Sequence, residues 1–208
     1  MKNFKIILAS NSPRRKELLS GLDIPFEVKV IPGIDESYPD TLDAYATAQY
    51  IARKKAAAYE EILQKGNMAE GEAELLVLTA DTVVIAPTEE ETNDQEGKGI
   101  ILGKPKDAED AHRMLRMLSG KTHHVVTGVC MNTPMAHREF SVVTEVTFKD
   151  LTDAEIDYYI EHYKPFDKAG AYGIQEWIGY IGCTGLNGSY YNVMGLPVQR
   201  IYDELLQI

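Results

Sequence analysis

The amino-acid sequence predicts an α/β fold built on a mixed sheet. Three observations carry that expectation. A short apolar run, Phe4 to Ala9, has the look of a buried strand and leads straight into a helix start. Strand and helix patterns then alternate along the chain. Finally, His124–Met131 and Ser141–Phe148 carry the β-branched content of paired strands.

Taken in order, Ser10 to Ser12 forms the first turn, with Ser12 as N-cap and Pro13 at the first helical position. Leu18, Leu19 and Leu22 supply that helix's apolar face, and Gly21 and Pro25 end it. Phe26 to Ile31 reads as a second strand, followed by a loop holding Gly33, Asp35 and Glu36. One long helix is expected from Leu42 to about Gln64, its stripe made of Ala44, Ala48, Ile51, Ala52, Lys55 and Tyr59. Residues 66–74 read as a loop, and Leu75–Ala86 as a strand interrupted by Thr79, Asp81 and Thr82. The acidic stretch PTEEETNDQEGKG is expected to be an exposed turn between two strands. Asp107 caps a helix with Ala111, Met114, Leu115 and Leu118 inward and Gly120 as its stop. Thr152 with Glu155 forms a capping box for a helix ending near Tyr163. Glycines recur from Gly170 to Gly195, a density suited to tight turns or backbone close to a ligand. A last helix starts near Val198.

Length and charge narrow the function. The 208 residues, 44% apolar, suit one large domain or two small lobes sharing a cleft. A net charge of -11 repels nucleic-acid backbones, yet a few local cations can still hold a small anion. The apolar run in MKNFKIILAS is too short for a signal peptide or a membrane span, so a cytoplasmic protein is expected. Cys130 and Cys183 form no C-x-x-C pair and are expected to be buried free thiols. Walker A, G-x-S-x-G and H-E-x-x-H motifs are absent.

Three clusters could carry chemistry. Arg14 and Arg15 follow Ser10 and Ser12 at a helix N-terminus, where cations are mildly unfavourable unless an anion joins them. A solvated turn and a phosphate site both fit. Asp81 is a carboxylate inside an apolar strand: either it faces water at a strand end, or it is a metal ligand or general base. With Glu36 it would suffice for magnesium, which needs only one or two carboxylates beside substrate phosphates. Lys55 could merely snorkel and Lys104 merely cover a turn; with the arginines they could surround a polyphosphate.

The chain resembles the Maf family of nucleotide pyrophosphatases. The likeness runs in family order through LASNSPRRKELL (8–19), GIDE (33–36), IARKKA (51–56), ADTVV (80–84), LGKPKDAEDA (102–111), LSGKTHHVVTGV (118–129), DKAGAYGIQ (167–175) and GSYYNVMGLP (188–197). It implies one domain over residues 1–208, elongated, with a deep cleft between two lobes, similar to inosine triphosphatase-like proteins and often dimeric. It implies hydrolysis of a nucleoside triphosphate between its α and β phosphorus atoms, with a divalent cation, Mg2+ or Mn2+. By position, Asp81 is the expected proton acceptor and, with Glu36, the metal site. Ser10, Ser12, Arg15, Lys55 and Lys104 hold phosphates. Arg14, Thr82 and Gln175 match the subgroup acting on dTTP and UTP and not that acting on 7-methyl-GTP. Three stretches depart from the pattern: residues 65–74 and 87–100 are extended, and EWIGYIGCTGLNGSY replaces the commoner run after Gln175. The alternative reading is a nucleotide-binding regulator of septum formation that does not turn its ligand over.

Overall fold

The computed structural model describes residues 4–65, 73–88 and 99–208. Most of the expected 66–74 loop and of the acidic 87–100 stretch lies outside these residues. Among the described residues the chain forms one mixed sheet of seven strands: β1 (Phe4–Leu8), β2 (Phe26–Val28), β3 (Glu74–Ala86), β4 (Ile100–Leu102), β5 (Thr122–Asn132), β6 (His137–Phe148) and β7 (Cys183–Asn187). Their order is β2-β1-β3-β5-β6-β7, with β4 also paired to β3. β1 runs parallel to β2 and β3; the other pairings are antiparallel.

The helices are α1 (Pro13–Ser20), α2 (Ala44–Ala57), α3 (Glu60–Lys65), α4 (Ala108–Leu118), α5 (Asp153–Tyr163), α6 (Trp177–Gly182), α7 (Tyr190–Met194) and α8 (Val198–Leu205). Local chemistry accounts for several ends. Ser12 accepts from the Arg15 N–H at the start of α1, and Asp107 accepts from the Asp110 N–H at the start of α4. Thr152 and Glu155 form the reciprocal capping box of α5.

Strand β3 organises the molecule. Its residues alternate between two faces, as a strand's period of two requires. Leu76, Leu78 and Ala80 join Leu18 and Leu19 of α1 and Ile201 and Leu205 of α8 in one core. Further along the same face, Val84 and Ala86 join Leu115 and Leu118 of α4 and Ile156 and Ile160 of α5 in another. The opposite face packs under α2: Val83 and Ile85 meet Ala44 and Ala48, and the Thr79 hydroxyl donates to Ala52 O at 2.8 Å. Each fully buried Leu or Ile in these cores contributes about 1.5–3 kcal/mol. Helix α2 lies so close to β5 that a Cβ on Gly128 would sit 2.4 Å from Gln49 Cα and N.

Most important for the site is a gap. β1 pairs with β3 only through Leu78, and β4 pairs with it only from Val84 onward, while β5 covers the other side from Val77 to Ile85. Residues 79–83 therefore present an open strand edge between β1 and β4. Here the two cores part, and here the cleft opens.

Several expectations need correction. The long helix expected over 42–64 is two helices, because the chain turns at Ala58–Tyr59 so that the buried Tyr59 can reach β2's exit. Its hydroxyl donates to Lys29 O at 2.7 Å and accepts from the Ile31 N–H at 3.0 Å. β2 is shorter than Phe26–Ile31, and α6, β7 and α7 arise within the glycine-rich stretch where no element was expected. Both cysteines are free; Cys130 is buried as expected, whereas Cys183 is partly exposed. Among the described residues no helix is long and apolar enough to cross a membrane.

Candidate active site

The open edge of β3 is the floor of a cleft of about 540 Å³, within the range of small-molecule sites. All ten residues singled out in the sequence line it: Ser10, Ser12, Arg14, Arg15, Glu36, Lys55, Asp81, Thr82, Lys104 and Gln175. They come from the β1–α1 turn, the first turn of α1, the loop after β2, α2, β3, the turn after β4 and the turn before α6.

On the α2 face of β3, the Lys55 ammonium donates to Asp81 Oδ1 at 2.7 Å and lies 3.2 Å from Glu36 Oε1. Lys55 and Asp81 are 13% and 14% exposed, so the pair is shielded but still open to the cleft. The apolar stripe of α2 brings the Lys55 stem down to the sheet, and Asp81 gives it a reason to be there.

On the other face, Arg15 closes part of the open edge. Ala9 N donates to Leu78 O as β1 leaves the sheet, and the next carbonyl on that edge, Ala80 O, is taken by Arg15 Nη1 at 2.8 Å. Arg15 Nε donates to Gly195 O at 2.8 Å and Nη2 to Thr82 Oγ1 at 3.0 Å. Burial lowers the Arg15 pKa from its usual value, opposed by the nearby Asp81 carboxylate. Arg15 was expected to hold phosphate, and three of its five N–H groups are committed to the protein; two remain for a ligand. Thr82 also shares a hydrogen bond with Thr127 Oγ1 at 2.9 Å.

The remaining walls differ in how their polar groups are held. The Ser10 hydroxyl accepts from the Ser12 N–H at 3.2 Å, and Ser12 is the N-cap of α1, accepting from the Arg15 N–H, so that of the first-turn N–H groups only Arg14's has no protein partner among the described residues. Arg14 Nη1 donates to Asp167 Oδ2 at 2.7 Å. Lys104 is exposed and unpaired among the described residues. Gln175 Oε1 is buried without a hydrogen-bond partner, an arrangement that awaits a donor.

Sequence reasoning missed Asp167 and Lys168. Lys168 is 8% exposed, with its ammonium 2.8 Å from Asp167 Oδ1 and 3.1 Å from Glu176 Oε1. Although burial opposes ionisation of Asp167, hydrogen bonds from Lys168 and Arg14 hold its pKa down at about 2. In the sequence an adjacent Asp-Lys pair reads as surface; the signals otherwise were their place beside Gly170 and Gly173 and at the head of the DKAGAYGIQ (167–175) segment.

Residues 5–208 match the family model described as Maf-like protein. The chain belongs to that family. Among the proteins similar to this Maf-like chain is the dTTP/UTP pyrophosphatase of Phocaeicola vulgatus, 56% identical over 208 residues and covering 100% of this chain and 98% of its own. The dTTP/UTP pyrophosphatase of Porphyromonas gingivalis (strain ATCC 33277) is 55% identical over 205 residues, covering 99% of this chain and 94% of its own. A solved structure of a HAM1 protein from Coxiella burnetii aligns over 99% of this chain and 100% of its own, at a TM-score of 0.45 and 17% identity.

Proposed function

We propose that this Maf-like protein is a nucleoside triphosphate diphosphatase that hydrolyses dTTP and UTP to the monophosphate and pyrophosphate. The observation that carries the reading is the convergence of five cations, two serines and a Lys55-paired carboxylate on one cleft of an otherwise acidic protein. Full-length relatives named for this activity support it.

In this reading the triphosphate lies across the N-terminus of α1. Ser10, Ser12, the free N–H groups of Arg15, and Lys104 bind its oxygens through charge-assisted bonds. Asp81 accepts a proton from the water that attacks the α phosphorus. The bond from that phosphorus to the bridging α–β oxygen breaks, and pyrophosphate leaves with the electron pair. Lys55 shares Asp81 with the incoming charge and keeps the carboxylate aimed into the cleft. Asp81 and Glu36, converging on one ammonium, fit the hard, oxygen-rich donor set of Mg2+ or Mn2+. When bound, such a cation supplies charge neutralisation for the phosphates. At the other end of the cleft, the unpaired Gln175 Oε1 offers an acceptor to the N3–H of thymine or uracil, and Arg14 and Thr82 stand where this subgroup discriminates bases. The same reading expects a cytoplasmic homodimer, which light scattering of the purified chain would check for assembly.

Incubation with UTP or dTTP and magnesium should release pyrophosphate and not orthophosphate. Tight binding of UTP without turnover would sink the enzyme and favour the regulator.

A further inference from the structure

Gln175 sits in a tight turn, and that turn is unusually well tied. Glu176 N donates to Gly173 O at 3.0 Å, which makes Gln175 the third residue of a β-turn. Gly173 N in turn donates to Tyr159 Oη at 3.0 Å, and the Tyr159 hydroxyl donates to Glu176 Oε2. The other carboxylate oxygen, Glu176 Oε1, lies 3.1 Å from the buried Lys168 ammonium. Both ends of the turn are thus held by one phenol from α5 and one ammonium from the cleft wall.

Packing makes the arrangement stiff. A Cβ on Gly173 would meet Glu176 Cδ at 2.9 Å and Lys168 Cε at 3.1 Å, so the turn closes tightly over the ion pair and a larger residue there would push its side chains aside. A Cβ on Gly179 would meet Ile174 O at 1.9 Å, so α6 presses against the turn from outside. Burial, and then the Glu176 carboxylate, push the Tyr159 pKa upward, which keeps the phenol a donor. Lys168 also touches Asp167, the partner of Arg14, so the same ammonium links the supports of Arg14 and Gln175.

We propose that Glu176, clamped by Lys168 and Tyr159, is a positioning residue for base selection: it fixes the Gly173–Glu176 turn and thereby the direction of the Gln175 amide. This rests on the nucleotide reading above. A glutamine amide can turn over to suit either a donor or an acceptor. Uracil presents an N3–H donor between two carbonyls, whereas cytosine presents an N3 acceptor beside an amino group. Discrimination between rings of equal size therefore depends on how firmly Gln175 is held.

The test uses the full chain with Glu176→Gln and Tyr159→Phe. Glutamine keeps the size of Glu176 but offers one acceptor where two donors need one each, and phenylalanine removes the hydroxyl that joins the turn's two ends. Affinities for UMP and CMP are measured by calorimetry, together with KM and kcat for UTP and the thermal midpoint. The wild type should prefer UMP over CMP. Each variant should cut that preference about tenfold, as expected for one lost charge-assisted bond, with KM for UTP moving more than kcat. A folded Glu176→Gln protein with an unchanged UMP-to-CMP ratio overturns the inference, as does a lowered melting point with both nucleotides weakened alike. A wild type without preference overturns it too. A wild type that prefers UMP yet releases no pyrophosphate removes the pyrophosphatase reading only, and a variant ratio that falls still supports the clamp.

Discussion

Replacing Arg15 by alanine should loosen the cleft and weaken its hold on the triphosphate together. The side chain joins three elements through Ala80 O, Thr82 Oγ1 and Gly195 O, at 2.8, 3.0 and 2.8 Å. Bonds from a charged donor contribute about 1.5–3 kcal/mol each, so simple addition would give roughly 4.5–9 kcal/mol. Two effects reduce that sum. Truncation relieves the desolvation that lowers the Arg15 pKa, and water entering the open cleft can reach the freed carbonyls. A net loss of about 2–4 kcal/mol is expected, which for a chain of this size is a fall in Tm of about 5–15 °C. Arg15→Lys should recover only part of it, because one ammonium cannot span three acceptors. Urea unfolding followed by circular dichroism measures the loss. Binding of UTP and UMP at a temperature where the variant is folded measures the second effect. Loss of the two remaining N–H groups should weaken UTP by about 10-fold or more and UMP by less. An unfolding midpoint equal to wild type would refute the clamp, and equal losses for UTP and UMP would refute contact with the outer phosphates.

Three further outcomes are expected. Asp81→Asn should retain nucleotide binding while turnover falls by about 10² to 10⁴, the usual cost of a lost general base; a folded variant with near-normal pyrophosphate release removes Asp81 from the mechanism. Gln175→Glu should lower kcat/KM for dTTP and UTP, since the carboxylate loses the NH2 donor, and wild-type kcat/KM should rank dTTP and UTP above GTP and 7-methyl-GTP; a guanine nucleotide in front would show a pocket reshaped by the segment after Gln175. His123 is buried against Phe148 and Tyr172, and burial, then His124, depress its pKa from 6.5 to about 3. The unfolded chain therefore takes up a proton below pH 6.5 that the native chain refuses, so stability falls as pH drops from 6.5 toward 3. At about 1.4 kcal/mol per pH unit, the loss between pH 7.5 and 5 is about 2 kcal/mol, and His123→Gln should shrink the measured drop by that amount; an unchanged slope would clear His123.

Local chemistry made much of this fold legible. The Ser12–Pro13 helix start, the Thr152–Glu155 box and the apolar stripe of α4 depend on residues within one or two helical turns, so nearest neighbours decide them. The candidate site residues stood out for the same kind of reason: Asp81 and Lys55 are charges placed where an apolar pattern has no use for them, and the motif order did the rest. Tertiary structure decided how they meet. The open edge of β3 exists because β1 ends at Leu8, opposite Leu78, and β4 pairs with β3 only from Val84 onward, a matter of strand register that no single segment encodes. Arg15 finds acceptors 65, 67 and 180 residues away, so its part in closing that edge is invisible along the chain. The break between α2 and α3 follows from the reach of Tyr59 to Lys29 and Ile31, which outweighs the uninterrupted helical pattern. Likewise α6, β7 and α7 form from glycine-rich segments of low intrinsic propensity because β6 offers β7 an edge to pair with and the neighbouring core offers Ile178 a buried place. Lys168 reads as a surface charge until Asp167, Glu176 and Gly173 close around it, since the burial of a charge depends on partners that only the folded chain assembles.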